Sequence, residues 1–272
     1  MSLGRRHVSI HDASRWVFNR MAKDYDARPP YPPVLVDALA GLAGRPGSRI
    51  GDLGAGIGHL ALPLAARGFD VVAIEPAIEM LDRLRAVSAT GPRLRAIHAS
   101  AEATPLAARS VDLAIIADAL HFLDAELTGR ELGRVLAPRG ALAIVSCELT
   151  PTPFMRGVVR IIEDAVPRRP RALTQATVHL SSLSGVSLTG ECRFEDRTPV
   201  DAETLDRVLR SISFIGPAMN PARFAAFRTR IHALPEPTVW ARTFVLRWGR
   251  RPAPRLAAPR RRSQTSEAVS SE

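Results

Sequence analysis

Three glycines at every second position, Gly54, Gly56 and Gly58, stand directly after a short apolar stretch and directly before a leucine-bearing helical pattern. Such a loop turns tightly and lets a ligand approach the backbone closely. Its setting between a strand and a helix is what makes it informative. Arg49 to Leu53 reads as the strand before it, and Leu60 to Arg67 as the helix after it, with Pro63 confined to the first turn or two. Gly68 fits the helix end. Phe69 to Ile74 is a near-continuous apolar strand, as expected when both sheet faces are covered. The rhythm continues with a helix at Ile78 to Val87, strands at Leu94 to His98 and Val111 to Ala117, a helix at Leu127 to Leu136 and a strand at Ala141 to Ser146, the last two separated by Ala137-Pro138-Arg139-Gly140. Strands alternating with helices imply a parallel, doubly wound α/β sheet. Ligands of such sheets bind beyond the carboxyl ends of the strands.

The flanks differ from this core. His11 to Ala27 reads as a helix with Trp16, Phe18 and Met21 as anchors, broken by Arg28-Pro29-Pro30-Tyr31-Pro32-Pro33 before a second helix at Val34 to Leu42. After Thr150, helices are expected at Phe154 to Val166, Asp201 to Ser213 and Pro221 to Leu234, and strands at Gly190 to Asp196 and Thr238 to Trp248. The expected organisation is an N-terminal lid segment (1–47), a ligand-binding core (48–150), a substrate cap with the last strands (151–249) and an Arg/Pro/Ser-rich disordered tail (250–272).

Composition narrows the function classes. No apolar run approaches the roughly 18 residues a membrane span needs, and the N-terminus lacks the apolar core of a secretory signal. Two cysteines, Cys147 and Cys192, make no disulfide framework and suit a cytoplasmic protein. The formal charge of +10 invites a nucleic-acid partner. Yet Lys23 is the sole lysine among 37 basic residues, a codon-bias signature, and seven arginines against two acids fall from Arg247 onward. Nucleic acid is therefore not the expected partner. No His/Cys/Asp cluster has metal-ligand spacing, so no metal is expected.

The acids around the glycines specify the ligand further. Asp52 directly before the loop repels a pyrophosphate and attracts an ammonium group. The G-x-G-x-G spacing also departs from the G-x-G-x-x-G of dinucleotide enzymes. Glu75 ends the next strand, where a carboxylate can accept both hydroxyls of a ribose. Pro76, Ile78 and Met80 can wall an adenine ring, and Ser100, Ala101 and Glu102, after the third strand, can read its edge.

The stretches Ile50 to Gly58, Val72 to Pro76, Ala99 to Leu106, Ser110 to Leu113 and Arg134 to Gly140 resemble, in order and spacing, the class I S-adenosylmethionine-dependent methyltransferases. The resemblance covers about residues 20–150. It implies a Rossmann-like, seven-stranded, mostly parallel sheet with helices on both faces and a helical cap. It also implies S-adenosylmethionine as cofactor and S-adenosylhomocysteine as product. Asp52, Gly54, Gly56 and Gly58 would hold the methionine moiety, Glu75 the ribose with Pro76 and Met80 beside it, and Ser100, Ala101 and Glu102 the adenine, with Asp118 completing the cofactor site. Position 100 departs from the family, which often has Asp there. Tyr25 to Pro32 is similar to the N-terminal segment of trans-aconitate-type relatives, which covers the cofactor, so Tyr25 and Arg28 would contact its carboxylate.

Methyl transfer needs a nucleophile aligned and, for an alcohol, relieved of a proton. His121, just after the fourth strand, is the expected base; His11, Glu148 and His179 are weaker candidates. Asp118-Ala119-Leu120-His121 lacks the Pro-Pro aromatic pattern of nucleobase amino-methylating enzymes. Apolar cap residues (Phe154, Met155, Phe214, Ile215, Met219, Phe224, Phe227) suggest a small, largely hydrophobic acceptor, with O-methylation of a hydroxyl, enol or carboxylate in secondary metabolism as the leading expectation; arginines of the cap could instead pair with a carboxylate substrate. C- or N-methylation stays open. An NAD-dependent oxidoreductase and an RNA-binding or assembly module are the competing classes.

Overall fold

A computed structural model describes residues 13–88, 91, 93–166 and 173–253. His11 and the residues after 253 lie outside these, as does the side chain of Trp16. The chain opens with α1 (Ala13–Tyr25) and α2 (Pro33–Ala43), the latter begun by Pro33, whose missing N–H costs nothing in a first turn. Then follow β1 (Arg49–Leu53), α3 (Ala61–Ala66), β2 (Asp70–Glu75), α4 (Ile78–Ser88), β3 (Leu94–His98), β4 (Val111–Ala117), α5 (Ala125–Val135) and β5 (Leu136–Leu149). The C-terminal part adds α6 (Pro153–Ala165), α7 (Leu173–Ser184), β6 (Ser187–Pro199), α8 (Ala202–Arg210), α9 (Pro221–His232) and β7 (Val239–Arg250).

The seven strands form one sheet in the order β3-β2-β1-β4-β5-β7-β6. All pairs are parallel except those of β7, which runs antiparallel to both β5 and β6. Alternate side chains go to opposite faces. Ile50, Val71, Ala73, Leu113, Ile115 and Val145 pack with α2 and α3 on one face. Val72, Ile74, Ala114, Ile116, Leu142 and Ile144 pack with α5 and α7 on the other. Among the described residues no helix is long and apolar enough to cross a membrane.

Four features depart from expectation. The fifth strand begins at Leu136, not Ala141. Val111 pairs with Leu136 and Leu113 with Ala141, so Ala137 to Gly140 bulge out of the ladder, with Arg139 left-handed at φ 64. Helix α7 has no counterpart in the sequence reading. Its serines, threonines and valine are weak helix formers, and packing supplies what propensity does not. Gly129 of α5 leaves no room for a methyl group, since a Cβ there would lie 2.8 Å from Leu183 Cβ and 3.0 Å from the Leu180 carbonyl. Third, Arg250 closes β7, and Arg251 donates to the Gly133 and Leu136 carbonyls, so these two residues belong to the body and not to a tail. Fourth, the cap's apolar residues face one another. Phe154, Met155, Ile215, Met219, Phe224 and Phe227 are buried in a separate small core of α6, α8 and α9, with Phe214 packed against it.

Candidate active site

At the carboxyl ends of β1, β2 and β4 lies a cleft with about 70 Å³ of enclosed space. It is lined by Phe18, Tyr25, Gly54, Gly56, Glu75, Pro76, Met80, Asp118, Phe122 and Leu123, with Ala117 and Ala119. Its floor is the glycine loop. Gly54 has φ 79, and a Cβ there would lie 2.8 Å from Ala119 Cβ, so both backbone conformation and close approach demand glycine. Gly54 and Ala55 both donate their N–H to the Ile74 carbonyl, which ties the loop to β2.

Glu75 braces that loop. Its Oε2 accepts the Gly56 N–H and its Oε1 the Ala77 N–H, both at 2.8 Å. Charge-assisted bonds of this kind contribute about 1.5–3 kcal/mol each. A carboxylate oxygen can accept more than one hydrogen bond. Sequence reasoning assigned Glu75 to the ligand and missed its hold on the loop.

Asp52 is 2% exposed beneath the loop, outside the cleft wall. It accepts the Ala61 N–H, while its Oδ2 has no hydrogen-bond partner. Burial first, and the Glu75 charge second, push its pKa up to about 7. An unsatisfied buried carboxylate oxygen is costly, and a bound cation nearby would relieve it. The donor set therefore fits S-adenosylmethionine: a backbone cradle, an acid on β2, and a buried carboxyl oxygen still lacking a partner.

The cover comes from the N-terminal segment. Tyr25 lies over Gly56 and stacks on His59, with ring centroids 5.8 Å apart. The Arg28 guanidinium sits 4.3 Å above the Tyr25 ring, and Nη1 donates to Tyr25 Oη at 3.2 Å. Its other donors go to Ser211 Oγ and the Ser211 carbonyl, so Arg28 fastens the cover to the end of α8 and is not part of the cleft wall. Burial, then Arg28 and Arg242, lowers the His59 pKa to about 4, leaving a neutral imidazole at neutral pH. Arg242 of β7 donates to the Pro29 and Pro30 carbonyls, each at 2.9 Å, and pairs with Asp196 at 2.6 Å.

The remaining predicted residues divide. Pro76 and Met80 line the cleft, whereas Ile78 is 36% exposed elsewhere. Ser100 and Ala101 are buried outside the cleft wall, and Glu102 Oε1 accepts the Asp124 N–H at the start of α5. His121 lies in a 3-10 turn, its ring 3.8 Å from that of Phe122, and does not itself line the cleft. Glu148 is exposed beside Arg193, and His179 is exposed on α7. Sequence reasoning missed Phe122 and Leu123 and read Phe18 only as an anchor. Phe18 meets Phe122 edge-on at 4.7 Å, closing one wall of the cleft. The one signal for Phe122 was its place beside His121 after β4.

Residues 51–144 match the methyltransferase domain family. The matched stretch, from within β1 to within β5, is similar to methyltransferase domains. The chain is 45% identical over 146 residues to an uncharacterized methyltransferase of Mycobacterium tuberculosis, an alignment covering 53% of this chain and 55% of the relative. The chain thus spans about half the length of the curated relatives it matches. Its fold is similar to a candidate methyltransferase from an antibiotic biosynthesis pathway of Anabaena variabilis, with TM-score 0.60 and 20% identity over 81% of this chain and 98% of that one. It is also similar, at TM-score 0.50 and 13% identity over 80% and 76% of the two chains, to the Streptomyces coelicolor geranyl diphosphate C-methyltransferase, solved with S-adenosyl-L-homocysteine, Mg2+ and a geranyl thiolodiphosphate.

Proposed function

We propose that the chain binds S-adenosylmethionine in this cleft and methylates a small, largely hydrophobic molecule, at an oxygen, in secondary-metabolite biosynthesis. The observation that carries the reading is the glycine floor braced by Glu75 above the unpartnered Asp52 oxygen. When bound, the cofactor supplies an electrophilic methyl group on a sulfonium. Glu75 would hold the ribose while fixing Gly56, and Pro76 and Met80 would flank the base. Tyr25 and Phe18 would shut out water, which favours transfer by alignment and desolvation. Asp52 would favour the positive amino-acid end from below the loop.

The apolar acceptor now draws its support from Phe18, Phe122 and Leu123 at the cleft, since the cap's own aromatics are occupied in their small core. A small acceptor is favoured over nucleic acid because, among the described residues, the cleft lining carries the carboxylates of Glu75 and Asp118 and no basic side chain. The test is calorimetric binding of S-adenosylhomocysteine, expected to be measurable and to fall at least about 100-fold in Glu75→Ala. NADH binding without S-adenosylhomocysteine binding would overturn the reading. The site of transfer is read by incubating labelled S-adenosylmethionine with hydroxyl- and carboxyl-bearing aromatics. A base-labile product is a methyl ester and a stable one an ether.

A further inference from the structure

Asp118 directly follows β4 in the left-handed region, φ 51, where Asp and Asn are the commonest non-glycine residues. The position is fastened on two sides. Its N–H donates to the Val145 carbonyl at 2.9 Å, and its Oδ1 accepts the Cys147 N–H at 2.7 Å. That leaves Oδ2 with one long contact, 3.4 Å from Tyr31 Oη. Among the described residues Asp118 makes no ion pair. The nearby cations are engaged elsewhere, Arg28 with Ser211 and Tyr25, Arg242 with Asp196 and the two proline carbonyls.

The cleft lining holds three titratable side chains, Tyr25, Glu75 and Asp118. Tyr25 Oη receives Arg28, and both Glu75 oxygens receive backbone N–H groups. Glu75 ends β2 and Asp118 directly follows β4, and these strands lie on opposite sides of β1 in the sheet. A nucleoside held at Glu75 would have Asp118 across β1 from it, with the glycine loop between.

We propose that Asp118 is the acceptor-side group: its Oδ2 receives the O–H of a neutral hydroxyl substrate and takes the proton during transfer, with Tyr31 orienting the carboxylate. This rests on the methyltransferase reading above. In the step, an oxygen lone pair forms the bond to the methyl carbon, the carbon–sulfur pair departs on sulfur as a neutral thioether, and the O–H proton passes to Oδ2 and then to solvent. A carboxylate acceptor is disfavoured, since it would set a second anion against an unpaired one. Burial raises the Asp118 pKa, opposed by the Cys147 N–H and by Arg28, which moves the carboxylate toward a useful proton acceptor.

Sinefungin, which carries a primary amine where the methylsulfonium would be, probes this contact without the acceptor. Dissociation constants for sinefungin and S-adenosylhomocysteine are measured on the full chain and on Asp118→Asn, a residue that tolerates φ > 0 and keeps the Oδ1 acceptor. The wild type should bind sinefungin at least about tenfold more tightly than S-adenosylhomocysteine. The variant should lose that preference and keep its S-adenosylhomocysteine affinity within about twofold. If both affinities fall together, Asp118 holds the amino-acid end and the proposal is wrong. A preference that survives in the variant, or is absent from the wild type, also overturns it. Tyr31→Phe removes the hydroxyl competing for Oδ2 and should widen the preference; an unchanged or smaller preference counts against the proposal even if Asp118→Asn does not fold. Failure of the wild type to bind S-adenosylhomocysteine would instead sink the underlying methyltransferase reading.

Discussion

The floor and the cover of the cleft are built by different means. The floor is local: Gly54 and Ala55 donate their N–H groups to the Ile74 carbonyl and Gly56 donates its own to the Glu75 carboxylate, about twenty residues along the chain. The cover is long-range. Arg28 reaches Ser211 across 183 positions, and Arg242 reaches Pro29 across 213. Local backbone bonding gives a pre-formed surface whose geometry tolerates no side chain. Long-range arginine clamps give a surface that can be detached without dismantling the sheet.

Cutting the cover's main clamp should have the largest effect. Arg242→Ala strands the Asp196 carboxylate, whose side chain is 18% exposed, and frees two carbonyls. Removing one member of a mostly buried pair costs about 3–5 kcal/mol. Urea unfolding should show this loss, and S-adenosylhomocysteine binding should weaken as Tyr25 leaves Gly56. A variant with unchanged binding would mean that the cover does not contribute to the site.

The floor should respond to pH. Folded Asp52 keeps its proton to about pH 7, while in the unfolded chain it loses it near 3.8. Its relative stabilisation is complete below pH 3.8 and disappears as pH rises through about 7. Asp52→Asn removes this dependence. The ligand-free variant should gain on the wild type across that window, with an upper bound of roughly 4 kcal/mol, while binding S-adenosylhomocysteine less well. His59 of the same loop works in the opposite sense. Its folded pKa of about 4 lies below the ordinary 6.5, so it adds stability as pH rises between them. The two partly cancel in the wild type, so a stability gap that stays flat with pH between Asp52→Asn and wild type would refute the Asp52 assignment.

This division also explains what was legible in the sequence. β1, β3 and β4 were readable to the residue, because their apolar patterns and flanking turns are local. The glycines and Glu75 were legible for the same reason. Helix α7 was not, because its weak formers depend on a groove at Gly129 that only the folded α5 presents. Nor was the role of Arg28 as a clamp, since nothing near it in sequence names Ser211. The cap aromatics misled in a related way: composition showed that they were apolar, and packing decided that they faced each other.

Glycine substitutions sharpen the contrast at smaller scale. Gly54→Ala places a Cβ against Ala119 in a left-handed conformation and should cost about 2 kcal/mol, with a loss of cofactor affinity. Gly41→Ala, within α2 and with open space around it, should instead stabilise by about 0.5–1 kcal/mol. Equal effects at the two positions in thermal unfolding would deny the floor its special geometry.

The smallest effect belongs to the outermost clamp. Arg207 of α8 pairs with Asp26 and lies 3.8 Å from Asp24 at the end of α1, but its side chain is 36% exposed. Solvent and salt screen such pairs, so Arg207→Ala should cost under about 1 kcal/mol and less still at 1 M salt. Its value lies in the comparison with Arg242→Ala, since both residues fasten the same segment and differ chiefly in burial. If the exposed clamp proves as costly as the buried one, the cover is held by the number of its ion pairs. The burial of Arg242 against the proline carbonyls argues that a single desolvated contact carries most of the attachment.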